Sequence, residues 1–288
     1  MIPGSFSYHR PKSVTEATGL LAQHADTARI LAGGQSLIPM MKLRFAAPEH
    51  LIDIAAVAEL KGIERKADTL RIGAMTTQHE LIASGLVAET VPLIRETSLL
   101  VADPQVRYVG TLGGNLANGD PGNDMPAIML CLDASYRLLG QGSERVVKAR
   151  EFYQGTYATA LSDTEILASI DIPIPPVGHG FAYEKLKRKI GDYATAAAGV
   201  ILTAESGKIS SCAIGLSNLA DTPVYAQAAA AAVLGRNLDA ATIAAAVKAA
   251  CALMAPAADT RGSVEYRTYV GGVMVERALK RALAQVRT

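Results

Sequence analysis

The sequence predicts an α+β protein: two small α/β units, then a C-terminal domain of three strands and helices. Three observations carry that expectation. Two glycine pairs, Ala32-Gly33-Gly34-Gln35-Ser36 and Thr111-Leu112-Gly113-Gly114-Asn115, each follow a short apolar run, Arg29 to Ala32 and Tyr108-Val109, that reads as a strand. The proline-rich stretch Ile172 to Gly180 forbids a continuing helix and weakens any central strand, so it marks a domain boundary. Beyond it, strand-like segments come first and helical ones after. A chain of 288 residues has room for two or three domains, and the units are expected at 1–55, 56–176 and 177–288.

In the first unit, Ser13-Val14-Thr15-Glu16 matches a capping box, and Ala17, Leu20, Leu21 and Ala25 follow at helical spacing. After the first glycine pair, Ser36 is placed to N-cap a short helix whose positive end would sit beside the glycines. Leu51 to Ile54 reads as a closing strand. In the second unit Leu70 to Gly73 is strand-like, Thr76 to Glu80 opens a helix, and Pro92 to Leu100 is helical. A polar turn region, Asn115 to Asp124, follows the second glycine pair, and Asp124 is placed to cap a helix through Met129 to Leu132. Such a loop is a place for function and equally a solvated connection. In the third unit Phe181–Ile190, Ala194–Thr203 and Lys208–Ser217 read as strands. Tyr225–Leu234, Ala240–Met254 and Tyr266–Val286 read as helices on one face of that sheet.

Composition excludes several function classes. With 50% hydrophobic and 19% charged residues the chain is not disordered as a whole. A net charge of +1 gives no bulk electrostatic case for nucleic acid or an anionic membrane. Cys131, Cys212 and Cys251, and His9, His24, His50, His79 and His179, are scattered without C-x-x-C or H-x-x-x-H, so no metal, haem or iron–sulfur ligand set is legible. The first residues lack a signal peptide's basic start and apolar core. The apolar stretch 240–258 is interrupted by Lys248 and ended by Pro256, which reads as a buried helix rather than a membrane span. A cytoplasmic location is expected. No nucleophile elbow, cysteine–histidine pair or carboxylate pair stands out, so no catalytic residue is assigned and any chemistry is expected from a cofactor.

Glycine pairs let the backbone take positive φ and approach a ligand closely, turning successive N–H groups toward an anion. Neither pair fits G-x-G-x-x-G or G-x-x-x-x-G-K-[ST], and either alone is commonly just a tight turn. Together they suit the two phosphates of one dinucleotide. The cluster Lys185, Lys187, Arg188 and Lys189 is either a solvated strand edge or a positive contribution near a phosphate or an anionic reduced cofactor. Tyr193, after the turn Gly191-Asp192, is a candidate stacking platform.

With their flanks included, Leu31 to Leu37, Gln105-Val106-Arg107 and Gly110 to Asn115 resemble the FAD-binding subunits of molybdenum hydroxylases, the family of the xanthine dehydrogenases. The resemblance spans essentially the whole chain, including Glu165-Ile166-Leu167. Asn118 to Asp124 and Tyr183 to Tyr193 resemble its carbon monoxide-oxidising branch. The resemblance implies a vanillyl-alcohol-oxidase-type flavin fold in which Ala32, Gly33, Gly34, Gln35, Ser36 and Leu37, with Thr111, Gly113, Gly114 and Asn115, hold the FAD pyrophosphate chiefly through backbone N–H groups. It implies that Asp124 helps hold the dinucleotide and that Val101, Ala102, Ile166 and Leu167 lie along the flavin, with Lys185 and Tyr193 near the isoalloxazine. It further implies a small partner with [2Fe-2S] clusters and a large partner with the molybdenum cofactor, in a dimer of heterotrimers. Electrons would leave through FAD to a quinone or other acceptor, with at most peripheral membrane association. The flavin subunit of another molybdenum hydroxylase, a free-standing flavin oxidoreductase and an assembly module that has lost its cofactor are the alternatives. An intact pair of glycine loops with Asp124 argues against the last.

Overall fold

The computed structural model describes residues 2–286. The chain opens with a parallel three-stranded sheet, order β1-β3-β2, made from β1 (Ser7–His9), β2 (Ala28–Leu31) and β3 (His50–Asp53). Helix α1 (Val14–His24) links the first two strands, and the short α2 (Leu37–Lys42) follows β2. The capping box at α1 is half formed. Ser13 Oγ accepts from the Glu16 N–H at 3.1 Å, but the Glu16 carboxylate reaches past it to the Lys12 N–H at 2.8 Å. Ser36 does not cap α2: its own backbone already lies in the helical region (φ −104°, ψ −50°), which carries its hydroxyl away from the first-turn N–H groups.

The middle of the chain forms an antiparallel five-stranded sheet, order β4-β5-β10-β6-β7, of β4 (Ile63–Lys66), β5 (Thr69–Gly73), β6 (Ser135–Gly140), β7 (Ser143–Lys148) and β10 (Ile166–Pro173). A small hairpin, β8 (Tyr153–Gly155) and β9 (Ala158–Thr159), stands beside it. The helices are α3 (Gln78–Ala83), α4 (Gly85–Thr90), α5 (Pro92–Leu100), α6 (Pro104–Val109), α7 (Leu112–Ala117), α8 (Asp124–Cys131) and the single turn α9 (Ala149–Phe152). Tyr108-Val109 is thus the end of a helix, not a strand. Asp103 caps α6 by accepting the Val106 N–H at 3.0 Å, and Pro104 presets the first turn. The second glycine pair lies inside α7, with Thr111 as its N-cap, so of the four paired glycines Gly34 alone has positive φ (69°).

Strand β10 couples the first two sheets. Ile166 and Ala168 face the core of the first, whereas Leu167, Ile170 and Ile172 face the core of the second, with an irregular register between Leu167 and Ser169.

The C-terminal sheet is antiparallel, order β11-β12-β13-β14: β11 (Gly180–Leu186), β12 (Ala196–Glu205), β13 (Lys208–Ser217) and β14 (Val224–Tyr225). It has four strands, not three; the fourth is a two-residue edge too short to show periodicity. Helices α10 (Gln227–Val233), α11 (Ala240–Cys251) and α12 (Val264–Leu283) pack into its apolar core. Its other face is not free. Helix α8, buried along its whole length, lies on it, and a Cβ at Gly199 or Gly215 would strike Ile128 or the Ala127 carbonyl. Burial on both faces explains the unbroken small-residue run Ala196-Ala197-Ala198-Gly199 in β12. Among the described residues no helix is long and apolar enough to cross a membrane.

Candidate functional site

A cleft of about 750 Å³, lined by strands β2, β9 and β11 and by the helices and loops between them, lies within the size range of cofactor pockets. Both glycine segments line it, but in different states. In the second, the Leu112 and Gly113 N–H groups donate to the Thr76 and Ala74 carbonyls, each at 2.8 Å. The Gly114 N–H is taken by Thr111 Oγ1 at 3.0 Å and the Asn115 N–H by the Thr111 carbonyl at 3.1 Å. In the first, the N–H groups of Gly33, Gly34, Gln35, Ser36 and Leu37 have no acceptor among the described residues. The expectation that both segments grip an anion through backbone N–H groups is therefore corrected: α7 consumes its own donors, and only residues 33–37 present a row of open ones. The two segments also touch. A Cβ at Gly33 would collide with the Val109 carbonyl and Gly110 Cα, so glycine there is required by the contact itself.

Of the residues singled out from sequence, Ala32 to Leu37, Val101, Ala102, Thr111, Gly114, Asn115, Asp124, Lys185 and Tyr193 line the cleft. Gly113, Ile166 and Leu167 do not. Gly113 packs on Ala74, and Ile166 and Leu167 point into the two cores that β10 divides, leaving Leu161, Ser162, Asp163 and Glu165 of the preceding loop on the cleft wall. Ala102 stands at φ 43°, a backbone conformation disfavoured for alanine, beside Val101, whose carbonyl accepts from Arg107 Nη1 at 2.9 Å. A non-glycine residue held at positive φ on a cleft wall is the kind of local strain that functional sites retain.

Asp124 does not cap α8. The cap position is Asn123, and the Asp124 side chain turns toward β11, where Lys185 Nζ donates to Oδ2 at 2.8 Å and the Tyr183 hydroxyl to Oδ1 at 2.5 Å. Lys185 Nζ also donates to the Leu100 carbonyl at 3.2 Å. The two charged side chains are 1% and 6% exposed, so this is a buried pair, and Lys185 is no part of a solvated strand edge. Burial pushes the Asp124 carboxyl above the ordinary aspartate range, against the pull of the Lys185 charge and its hydrogen bonds. Of the other basic residues, Arg188 pairs with Asp192 at 2.9 Å. Lys187 is held below the usual lysine range by burial and then by repulsion from Lys185.

Asn115 ties the second segment to this pair: its Oδ1 accepts the Met125 N–H at 3.3 Å and its carbonyl accepts Asn123 Nδ2 at 2.7 Å. Tyr193 packs over Gly122 at the cleft mouth, and burial followed by the Asp120 charge raises its phenol above the ordinary range. Sequence reasoning missed Gln78 and Tyr183. Tyr183 sits on β11 two residues before Lys185, on the same face, which period-2 spacing would have flagged. Gln78, 1% exposed, lines the cleft with neither side-chain amide atom hydrogen-bonded; nothing in its sequence surroundings marks it.

Outside the cleft, His9, His24 and His50 converge from β1, α1 and β3, with ligand-capable atoms within 4.8 Å of one another. No spacing motif could reveal them. The His24 and His50 rings stack face to face at 3.6 Å and 15°, so their in-plane lone pairs run side by side rather than toward one point.

Residues 4–175 match the family model for the FAD binding domain in molybdopterin dehydrogenase, and residues 181–282 that for the CO dehydrogenase flavoprotein C-terminal domain. The carbon monoxide dehydrogenase medium chain of Afipia carboxidovorans is 56% identical over 287 residues, 100% of both chains. That of Hydrogenophaga pseudoflava is 46% identical over 285 residues, 99% of each. A chain in the structure of reconstituted CO dehydrogenase from Oligotropha carboxidovorans superposes with a TM-score of 0.98 at 57% identity, covering 99% of this chain and 100% of that one.

Proposed function

Because the chain belongs to the FAD-binding subunits of the molybdopterin dehydrogenases, among the carbon monoxide dehydrogenase medium chains, we propose that it is the subunit through which electrons leave such an enzyme. It is the FAD-binding part of an oxidoreductase complex whose molybdenum and iron–sulfur centres belong to other subunits. The flavin fold is of the vanillyl-alcohol-oxidase type in this reading. The single observation that carries it is the row of open N–H donors at residues 33–37, set on the wall of a cleft that also holds an unpaired buried carboxamide. A cradle of open donors fits a bound pyrophosphate, and the residues present fit FAD.

Residues 33–37 hold the pyrophosphate, with Thr111, Gly114 and Asn115 forming the opposite wall by shape and side-chain contact. Val101 and Ala102 would lie along the flavin, with Tyr193 near the isoalloxazine. The Asp124–Lys185 pair, whose opposite charges offset each other, fixes that wall; both carboxylate oxygens of Asp124 retain lone pairs for a ligand donor. When bound, FAD supplies a carrier for the two electrons released as CO and water become CO2 and two protons on the large subunit. The acceptor is a quinone or similar oxidant, the assembly a dimer of heterotrimers, and the setting cytoplasmic with at most peripheral membrane contact. A free-standing oxidoreductase would need an acid or base of its own beside the flavin; of the charged groups on the cleft wall, Asp124 and Lys185 are spent on each other, Glu165 on Arg145 and Asp192 on Arg188.

The test is purification of the intact complex with a released-flavin assay and its absorption spectrum under CO. One FAD per copy of this chain, bleached by CO and recoloured by a quinone, is the expected result. Flavin that CO does not bleach in the intact complex overturns the electron-exit role, and partners without flavin overturn the cradle.

A further inference from the structure

We propose that Gln78 is a direct binding residue for the dinucleotide, its carboxamide donating one hydrogen bond to bound FAD and accepting another; this rests on the reading of the cleft as an FAD site. The side chain is 1% exposed and lines the cleft, and neither Nε2 nor Oε1 has a partner among the described residues. Ser169, His179, Arg261 and Arg281 also carry an unpartnered buried atom, but none of them lines the cleft. Beside the open backbone donors of residues 33–37, Gln78 is therefore the one side chain among the described residues whose unpartnered buried atoms face the ligand space.

Its backbone is fixed. Thr77 and Glu80 form a complete capping box at the start of α3, the Glu80 carboxylate accepting the Thr77 N–H at 2.7 Å and Thr77 Oγ1 accepting the Glu80 N–H at 3.2 Å. The Gln78 N–H donates to the Gly110 carbonyl at 2.9 Å, and the Leu112 N–H to the Thr76 carbonyl at 2.8 Å. The carboxamide is thus anchored to the same strip of chain that touches Gly33. A buried amide without partners disfavours the empty protein, and a leucine or methionine would fill the space without that cost. Its presence is explained by a ligand edge bearing a donor beside an acceptor. Both the adenine and the flavin pyrimidine ring of FAD have one, and a carboxamide matches it in a bidentate pair.

Two readouts of opposite sign separate this role from a structural one. Gln78→Met keeps the volume and removes the amide. In the flavin-free full chain its thermal midpoint is expected to equal or exceed that of the wild type. FAD binding, followed by quenching of flavin fluorescence, is expected to weaken about 10–100-fold, as for two lost hydrogen bonds. Gln78→Glu keeps one acceptor and is expected to fall between. Wild-type FAD affinity in Gln78→Met overturns the assignment, as does a flavin-free midpoint that drops, which would mean the amide serves the protein alone. A wild-type chain that takes no FAD, alone or with its partner subunits, would overturn the cleft reading and this assignment together; loss of binding in the variants alone bears only on Gln78.

Discussion

The two glycine pairs look alike in sequence and do different physical work. At residues 33–37 the backbone turns through positive φ at Gly34 and leaves five successive N–H groups open to the cleft. At 112–115 every N–H is already paired within the fold. Glycine is needed at 33 because the neighbouring chain at Val109 and Gly110 comes too close for a Cβ, and at 113 because α7 packs on Ala74. On the proposed reading, one pair is an anion cradle and the other a packing device. Phosphate recognition would then be one-sided: a donor row faces a wall whose own hydrogen bonds are complete.

That wall depends most on the buried pair behind it. Lys185→Met would leave the Asp124 carboxylate buried with only the Tyr183 hydroxyl, and breaking one side of such a pair costs about 3–5 kcal/mol. Urea unfolding should show that loss, and released-flavin assay should show FAD depleted too. A loss below about 1 kcal/mol would mean that the wall does not lean on the pair.

The contrast between the loops is sharpened by placing one methyl group in each. Gly33→Ala and Gly113→Ala both force backbone apart and should each cost about 1–3 kcal/mol. Only Gly33→Ala displaces the open donors, so its FAD dissociation constant should rise about tenfold or more beyond that of Gly113→Ala, a difference of about 1.4 kcal/mol. Equal losses of affinity would return the second segment to the role of a phosphate grip.

How much of this was legible follows the range of the forces involved. Elements governed by local periodicity were read well: Pro92 to Leu100 and Lys208 to Ser217 carry the same limits in sequence and structure. Tyr108-Val109 misled because two apolar residues do not distinguish a strand from a helix end, and Asp103-Pro104, the true signal, lies four residues upstream. The fate of Asp124 was illegible because its partners, Tyr183 and Lys185, are about sixty residues away and approach only when the C-terminal sheet packs on α8. Gln78 was illegible for the opposite reason: what marks it is the lack of any partner, which a sequence cannot display.

A smaller difference separates the hydroxyls of the two segments. Thr111 Oγ1 caps α7, so Thr111→Ala should cost about 1 kcal/mol of stability in the flavin-free chain. Ser36 caps nothing, so Ser36→Ala should leave flavin-free stability unchanged within about 0.5 kcal/mol. Matched thermal melts of the two variants decide the point. A destabilised Ser36→Ala would show that the first loop is held by its own side chain and is less open than its backbone indicates.

The smallest expected effect is one of pH, and it too belongs to the closed side. The first segment, Ala32 to Leu37, has no ionisable side chain and brings no titration. The loop before β10 has Glu165, paired with Arg145 at 2.7 Å and accepting the Ser162 N–H at 2.9 Å, and the Arg145 hydrogen bond above all holds its carboxyl at about 2. A carboxyl lowered in the folded state adds stability that is fully present above its unfolded value near 4.5 and disappears as pH falls toward about 2. Since Arg145 is 44% exposed, water screens the pair, and its worth is about 1 kcal/mol or less. Glu165→Gln should therefore unfold more easily than wild type at neutral pH, with the gap closing between about pH 4.5 and 2. A gap that stays constant through that range would assign the loss to packing of the side chain and leave the cleft wall without a pH-dependent tie.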